Sequence, residues 1–149
     1  VIAGSLRDET QAKHLSILRR ELGLVDRVQM AGEATADELE RLYGQATLFA
    51  LATRYEGYGM VFNEAMVHGL PIVSCEVGAV PDTVAPGAGL LVPPDDADAF
   101  AAALARILDD APARSAMASA SAEAGAALPA WDSAARLVAS ALERVMTRE

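Results

Sequence analysis

Short aliphatic runs alternate with stretches of helical periodicity through the first two thirds of this chain, and that alternation narrows the fold more than any other feature. Val28-Gln-Met-Ala31, Thr47 to Ala52, Pro71-Ile-Val-Ser-Cys75 and Gly89-Leu-Leu-Val92 each read as a strand. The run from Thr47 to Ala52 is continuously apolar, which suits a strand buried on both faces. Val1-Ile2-Ala3-Gly4 reads as the end of a further strand, so the chain is expected to be a fragment of a longer protein. Between these runs, Leu15, Leu18 and Leu22 recur at helical spacing from Asp8 to Leu22, with Gly23 as a stop. Thr35 and Glu38 form a capping-box pair that opens a helix through Leu39, Leu42 and Tyr43. A helix over Gly59 to His68 and a short one over Pro81 to Val84 complete the alternation. Strands joined through helices are parallel, so the expected fold is α/β, a Rossmann-like, mainly parallel sheet with flanking helices.

After Pro93-Pro94 the strand signal stops. Asp95 or Asp96 can cap a helix carrying Phe100, Leu104, Ile107 and Leu108, and further helices are expected over Arg114 to Ala124 and Trp131 to Met146. The tail is rich in alanine, but its spaced large apolar residues predict packed helices rather than low complexity. A chain of 149 residues is long enough for a real core, and with 5% aromatics that core is aliphatic. A net charge of −9 argues against a nucleic-acid surface, which needs clustered Lys and Arg. No apolar run approaches membrane length. A single cysteine, Cys75, excludes an internal disulfide and fits a reducing cytosol; it reads as a small buried residue at a strand end. His14 and His68 are far apart, and no residues have metal-ligand spacing.

The chemistry concentrates in Glu56-Gly-Tyr-Gly-Met-Val-Phe-Asn-Glu64. Glycine lets backbone and ligand approach closely, and a helix starting near Gly59 aims its unpaired N–H groups and positive end at one point. That point suits a phosphate. Glu64, about one turn inside the helix, can accept hydrogen bonds from sugar hydroxyls. The charge balance sets a condition on this reading: from Gly44 to Pro94 a single cation, Arg54, faces Glu56, Glu64, Glu76 and Asp82, a net −3. Helix-end stabilisation of order 1 kcal/mol does not hold two phosphates beside two carboxylates, so a cationic clamp must come from elsewhere.

These residues resemble retaining glycosyltransferases of family 4. The resemblance rests on Tyr55-Glu56-Gly-Tyr-Gly-Met60, Glu64-Ala-Met66, Gly69-Leu-Pro-Ile-Val-Ser74, Gly78-Ala-Val-Pro-Asp82, Gly89-Leu-Leu-Val-Pro-Pro94 and Trp131-Asp132, with Asp26-Arg-Val28, Gly32 and Glu38-Leu39 upstream. It covers nearly the whole chain. It implies one half of a two-domain GT-B enzyme, residues 1–149 being most of the C-terminal, nucleotide-sugar-binding half. On that resemblance Glu64 takes the ribose hydroxyls and Glu56 contacts the transferred sugar near the reacting carbon. Backbone N–H groups at Gly57, Tyr58, Gly59, Met60 and Val61 approach the phosphates, and Gly32, Glu33 and Ala34 lie by the base. The Arg and Lys of the diphosphate clamp precede Val1 in the family. The acceptor, a glycan or lipid, belongs to the N-terminal half. The resemblance implies a UDP-, GDP- or ADP-sugar as donor with no cofactor or metal, and a cytoplasmic enzyme, in many relatives at the inner membrane face, building polysaccharides or glycolipids. Three departures bear on the donor sugar: Ala52-Thr53 replaces a common Pro-Ser, Asp82 a commoner Glu, and Gly78-Ala79 a frequent Gly-Gly.

Other readings share parts of this pattern. A nucleotide-sugar epimerase uses the same scaffold. Gly57-Tyr-Gly59-Met-Val-Phe62 begins like a Gly-x-Gly-x-x-Gly fingerprint, with Glu76 about 20 residues from the turn, as in NAD-dependent oxidoreductases. Phe62 in the third-glycine position opposes that reading. A non-catalytic flavodoxin-like or receiver module needs an aspartate at a strand end, and no expected strand ends in one.

Overall fold

The computed structural model describes residues 1–5, 8–129 and 131–146. The chain forms two compact units, Val1–Gln45 and Ala46–Glu149. In the first, β1 (Ile2–Ala3) pairs in parallel with β2 (Met30–Gly32), and α1 (Glu9–Glu21) and α2 (Ala36–Gln45) follow the strands. In the second, β3 (Phe49–Leu51), β4 (Ile72–Cys75) and β5 (Gly89–Val92) form a parallel sheet in that order. Its helices are α3 (Met60–Val67), α4 (Val80–Thr83), α5 (Ala97–Asp109), α6 (Ala111–Ala127) and α7 (Trp131–Met146). The α/β expectation, with a helical tail, holds.

Helix starts follow the caps in the sequence. Asp8 accepts from Thr10 and Gln11 N–H at 2.8 and 3.1 Å, opening α1. The Thr35–Glu38 pair closes reciprocally, Thr35 N–H donating to Glu38 Oε2 at 2.8 Å and Glu38 N–H to Thr35 Oγ1 at 3.4 Å. Of the two candidates for α5, Asp96 is the cap, accepting from Ala99 N–H at 2.8 Å. Asp95 instead takes a left-handed φ of 61° and pairs with Arg54. The sixth helix begins three residues before its expected start because Asp110 caps it, accepting from Ala113 N–H at 2.9 Å, with Pro112 in the first turn.

The core lies in the second unit; among the described residues, none of Val1–Gln45 is buried. Central strand β4 is buried at every position, as a strand covered on both faces must be. On one face Val73 and Val92 meet Ala103 and Ile107 of α5. In α3, Phe62, Ala65 and Met66 are buried. Against it lies α6, at a spacing only small residues permit: a Cβ on Gly125 would strike the Met66 carbonyl, and one on Gly69 would come 3.3 Å from Ala122 Cβ. Buried Ser121 donates to the Leu70 carbonyl at 2.7 Å. The alanine-rich stretch at α6 is therefore packed helix, as its apolar spacing predicts. The expectation of packing fails for α7, whose Leu137, Val138, Leu142 and Val145 are all more than half exposed. A helical pattern fixes which residues share a face, whereas burial needs a partner, and the described residues supply none there.

Two measurements check this packing and capping. Gly125→Ala should lower stability by about 1–3 kcal/mol in denaturant unfolding, because Met66 backbone stands where the methyl must go. Glu38 is held below the usual carboxylate range, first by the Thr35 backbone N–H and then by the Thr35 hydroxyl. A depressed carboxylate stabilises above its unfolded pKa and loses that contribution as pH falls through the folded value. Removing the hydroxyl with Thr35→Ala should move the Glu38 titration, followed by carboxyl NMR, back up toward the ordinary range.

Candidate functional site

Parallel sheets place their loops for ligands beyond the carboxyl ends of the strands. Beyond β3 the chain runs through residues 52–59 into α3, and beyond β4 through residues 76–79 into α4. The two loops are bonded together. Ala79 N–H donates to the Glu56 carbonyl at 3.0 Å, and Thr83 Oγ1 donates to the Tyr58 carbonyl at 2.6 Å. Gly78 makes the first contact possible: its φ is +52°, and a Cβ there would collide with the Glu56 carbonyl oxygen.

The tip of α3 has the form its glycines predict. Gly59 is the N-cap at φ 80°, a left-handed conformation that disfavours any other residue, and no side chain caps the helix. Phe62 N–H turns back to the Gly59 carbonyl at 2.9 Å. Among the described residues, the N–H groups of Met60 and Val61 have no side-chain acceptor. The rim is open, with Tyr55, Tyr58 and Met60 exposed by 82%, 62% and 63%. Phe62 points inward, edge-on to Phe49 with ring centroids 5.9 Å apart.

Glu56 is half-buried, its Cγ lying 3.2 Å from the position a Cβ on Gly59 would take, so this carboxylate stands beside the helix tip. Glu64 is exposed in the second turn of the same helix. Gly57, Tyr58, Met60 and Val61 form the intervening backbone. Tyr58 also accepts at its hydroxyl from Asn63 Nδ2 at 3.3 Å. Gly32, Glu33 and Ala34 lie in the first unit, Gly32 closing β2 at φ 72° and the other two leading to α2. Arg54, the lone cation of residues 44–94, is engaged with Asp95 at 2.6 Å on an exposed surface. Thr83 is the contributor that sequence reasoning missed. Hydrophobic period and turn signals say nothing about a hydroxyl that bonds 25 residues back.

Comparison with known proteins identifies the family and the fold. The family described as glycosyl transferases group 1 matches residues 1–124. The D-inositol 3-phosphate glycosyltransferase of Corynebacterium diphtheriae is 35% identical over 129 residues, which cover 86% of this chain and 30% of that enzyme. The MMP alpha-(1->4)-mannosyltransferase of Mycolicibacterium hassiacum is 37% identical over 91 residues, 60% of this chain and 22% of its own. Among solved structures, the sucrose-phosphate synthase of Thermosynechococcus elongatus superposes with a TM-score of 0.84 at 31% identity, over 98% of this chain and 38% of its own. HepE of Anabaena, solved in complex with UDP and glucose, gives a TM-score of 0.85 over 95% of this chain and 39% of its own. At 23% identity this is a likeness of fold. The chain thus spans well under half the length of each of these proteins.

Gly78→Ala should release the loop from its support, since the methyl must displace the Glu56 backbone. Amide resonances of residues 56–59 should shift while those of α5 and α6 stay in place, with a stability loss of about 1–3 kcal/mol from the forced left-handed alanine.

Proposed function

We propose a donor-binding role for this chain, which belongs to the glycosyl transferases group 1 family. It forms the nucleotide-sugar-binding half of a retaining glycosyltransferase that moves a sugar from a nucleotide diphosphate sugar to an acceptor hydroxyl. The reading is carried by one observation: no side chain caps α3, exposed Tyr58 and Met60 flank the buried cap glycine, and Glu56 stands against that N-cap with Glu64 one turn along. The first amides of α3 receive the diphosphate, Glu64 accepts from the ribose hydroxyls, and Glu56 holds hydroxyls of the transferred sugar. The bond from the anomeric carbon to the diphosphate oxygen breaks, the sugar becomes oxocarbenium-like, and the helix-end N–H groups stabilise the charge left on the phosphate. Glu56 orients the sugar, the role the family resemblance gives it.

The base contact assigned to Gly32, Glu33 and Ala34 rests on the family resemblance alone. The acceptor, a glycan or lipid, and the cations that complete the diphosphate site come from outside this sequence. Cytoplasmic residence, at the inner face of a membrane in the whole enzyme, belongs to the same proposal; no described helix is long and apolar enough to cross a membrane. The oxidoreductase reading is disfavoured by Phe62, which fills the space a third glycine would leave free.

Titration of the isotope-labelled chain with UDP-, GDP- and ADP-sugars should perturb the amides of Tyr58–Glu64 for one base. Binding should be weak, because Arg54 is occupied and the remaining local charge is negative. Shifts confined to other regions, or a preference for NAD, would sink the assignment. In the intact enzyme Glu64→Ala should raise donor KM, the lost ribose hydrogen bonds amounting to about 1–3 kcal/mol in kcat/KM. An unchanged KM removes Glu64 from the ribose.

A further inference from the structure

Two peptides of the glycine loop are fixed by their carbonyls. The Glu56 carbonyl accepts from Ala79 N–H and the Tyr58 carbonyl from Thr83 Oγ1. Both peptides are trans, so each N–H points opposite its own C=O. Carbonyls bound to the 79–83 segment therefore turn the N–H groups of Gly57 and Gly59 away from it. Neither N–H has a hydrogen-bond partner among the described residues. Two unbonded amides on alternate residues, turned to the same side of the loop, offer an anion a pair of donors beside the helix end. Of the two ties, only the one from Thr83 is made by a side chain, and it is the shorter.

We propose that Thr83 is a positioning residue for the donor diphosphate: its hydroxyl sets the Tyr58–Gly59 peptide so that Gly59 N–H joins the first amides of α3 on the phosphate. The inference rests on the donor-site reading above and adds to it a residue that touches no ligand. Thr83 is held for the task by α4, where its N–H donates to the Ala79 carbonyl at 2.9 Å, so one short helix carries both ties. A valine at this position keeps the shape and removes the donor, leaving the peptide free to rotate. Affinity for phosphate should then fall while the nucleoside contacts are untouched.

The test compares the wild-type chain with Thr83→Val and Thr83→Ser, titrated with UDP, GDP and ADP and, separately, with the matching nucleosides, while amide shifts and thermal unfolding are followed. Wild type should respond to one diphosphate at Gly57–Val61. Thr83→Val should bind that diphosphate about three- to tenfold more weakly and bind the nucleoside as wild type does, with the Gly59 amide displaced before any ligand is added. Thr83→Ser should restore diphosphate affinity. Equal affinity of wild type and Thr83→Val for the diphosphate overturns the proposal while leaving the donor site standing. Parallel loss of diphosphate and nucleoside binding also overturns it, since that reports general damage to the fold. If wild type shows no response to any diphosphate, the donor-site reading itself fails and takes the proposal with it.

Discussion

Gly125 lets the α6 backbone come to rest on the Met66 carbonyl of α3, and Ser121 adds a second link one turn earlier by donating to the Leu70 carbonyl from a buried position. Buried polar groups joined at hydrogen-bond distance and backbones in direct contact leave little room for sliding. The eight-residue helix is thus gripped near its C-terminal end, while Phe62 anchors its first turn against Phe49. The direction of the tip is decided by those contacts. A helix too short to be stable alone becomes a fixed pointer because both of its ends are held by packing.

The electrostatics of the tip are unbalanced. The helix end offers partial positive charge, yet the surrounding segment is net negative and its one cation is committed to Asp95. An exposed ion pair of this kind contributes little stability, about 0–1 kcal/mol, so the pairing itself does not build the fold. Its consequence is local: Arg54 neutralises the turn after β5 and leaves the approach to Glu56 without a counter-charge. On the donor-site reading, Glu56 and Glu64 accept from neutral hydroxyl donors. A ligand combining hydroxyls with a diphosphate meets both features, provided positive charge is brought to the phosphates.

Much of this was legible in the residues because the signals are local. Asp8, Thr35 and Asp96 announce their helices through side-chain oxygens that reach only two or three residues ahead. The apolar run of β4 announces a strand buried at every position, whereas the run of β3, expected to be buried on both faces, has Ala50 exposed and Phe49 and Leu51 half-buried, because β3 lies at the edge of its sheet. Gly59 announces a turn that other residues resist. The capping start of α6 at Asp110 was equally local, and Pro112 in its first turn marked it, but the weak amphipathicity of an alanine-rich helix obscured it. The unreadable parts are long-range. Nothing in Thr83 points to Tyr58, and nothing in Gly125 points to the Met66 carbonyl, because a tertiary approach is set by where two elements meet. The exposed stripe of α7 shows the converse, a pattern that specifies a helix and leaves its partner unstated.

One position separates this turn from the dinucleotide-binding turn it resembles. There the third glycine allows helix and strand to close on each other beside the pyrophosphate. Here Phe62 occupies that place, is fully buried, and meets Phe49 of the preceding strand at an interplanar angle of 86°. The aromatic pair fills with side chains the space that glycine would have left for close backbone contact, so α3 is packed onto its strand through rings. The same ring lies beside Gly59, where any Cβ would meet Phe62 Cδ2 at 2.5 Å. Phe62 therefore imposes glycine at the cap by bulk as well as by φ. A bare, left-handed cap and a buried aromatic three residues later are two halves of one solution, and together they leave no side chain at the cap to occupy the first amides of α3.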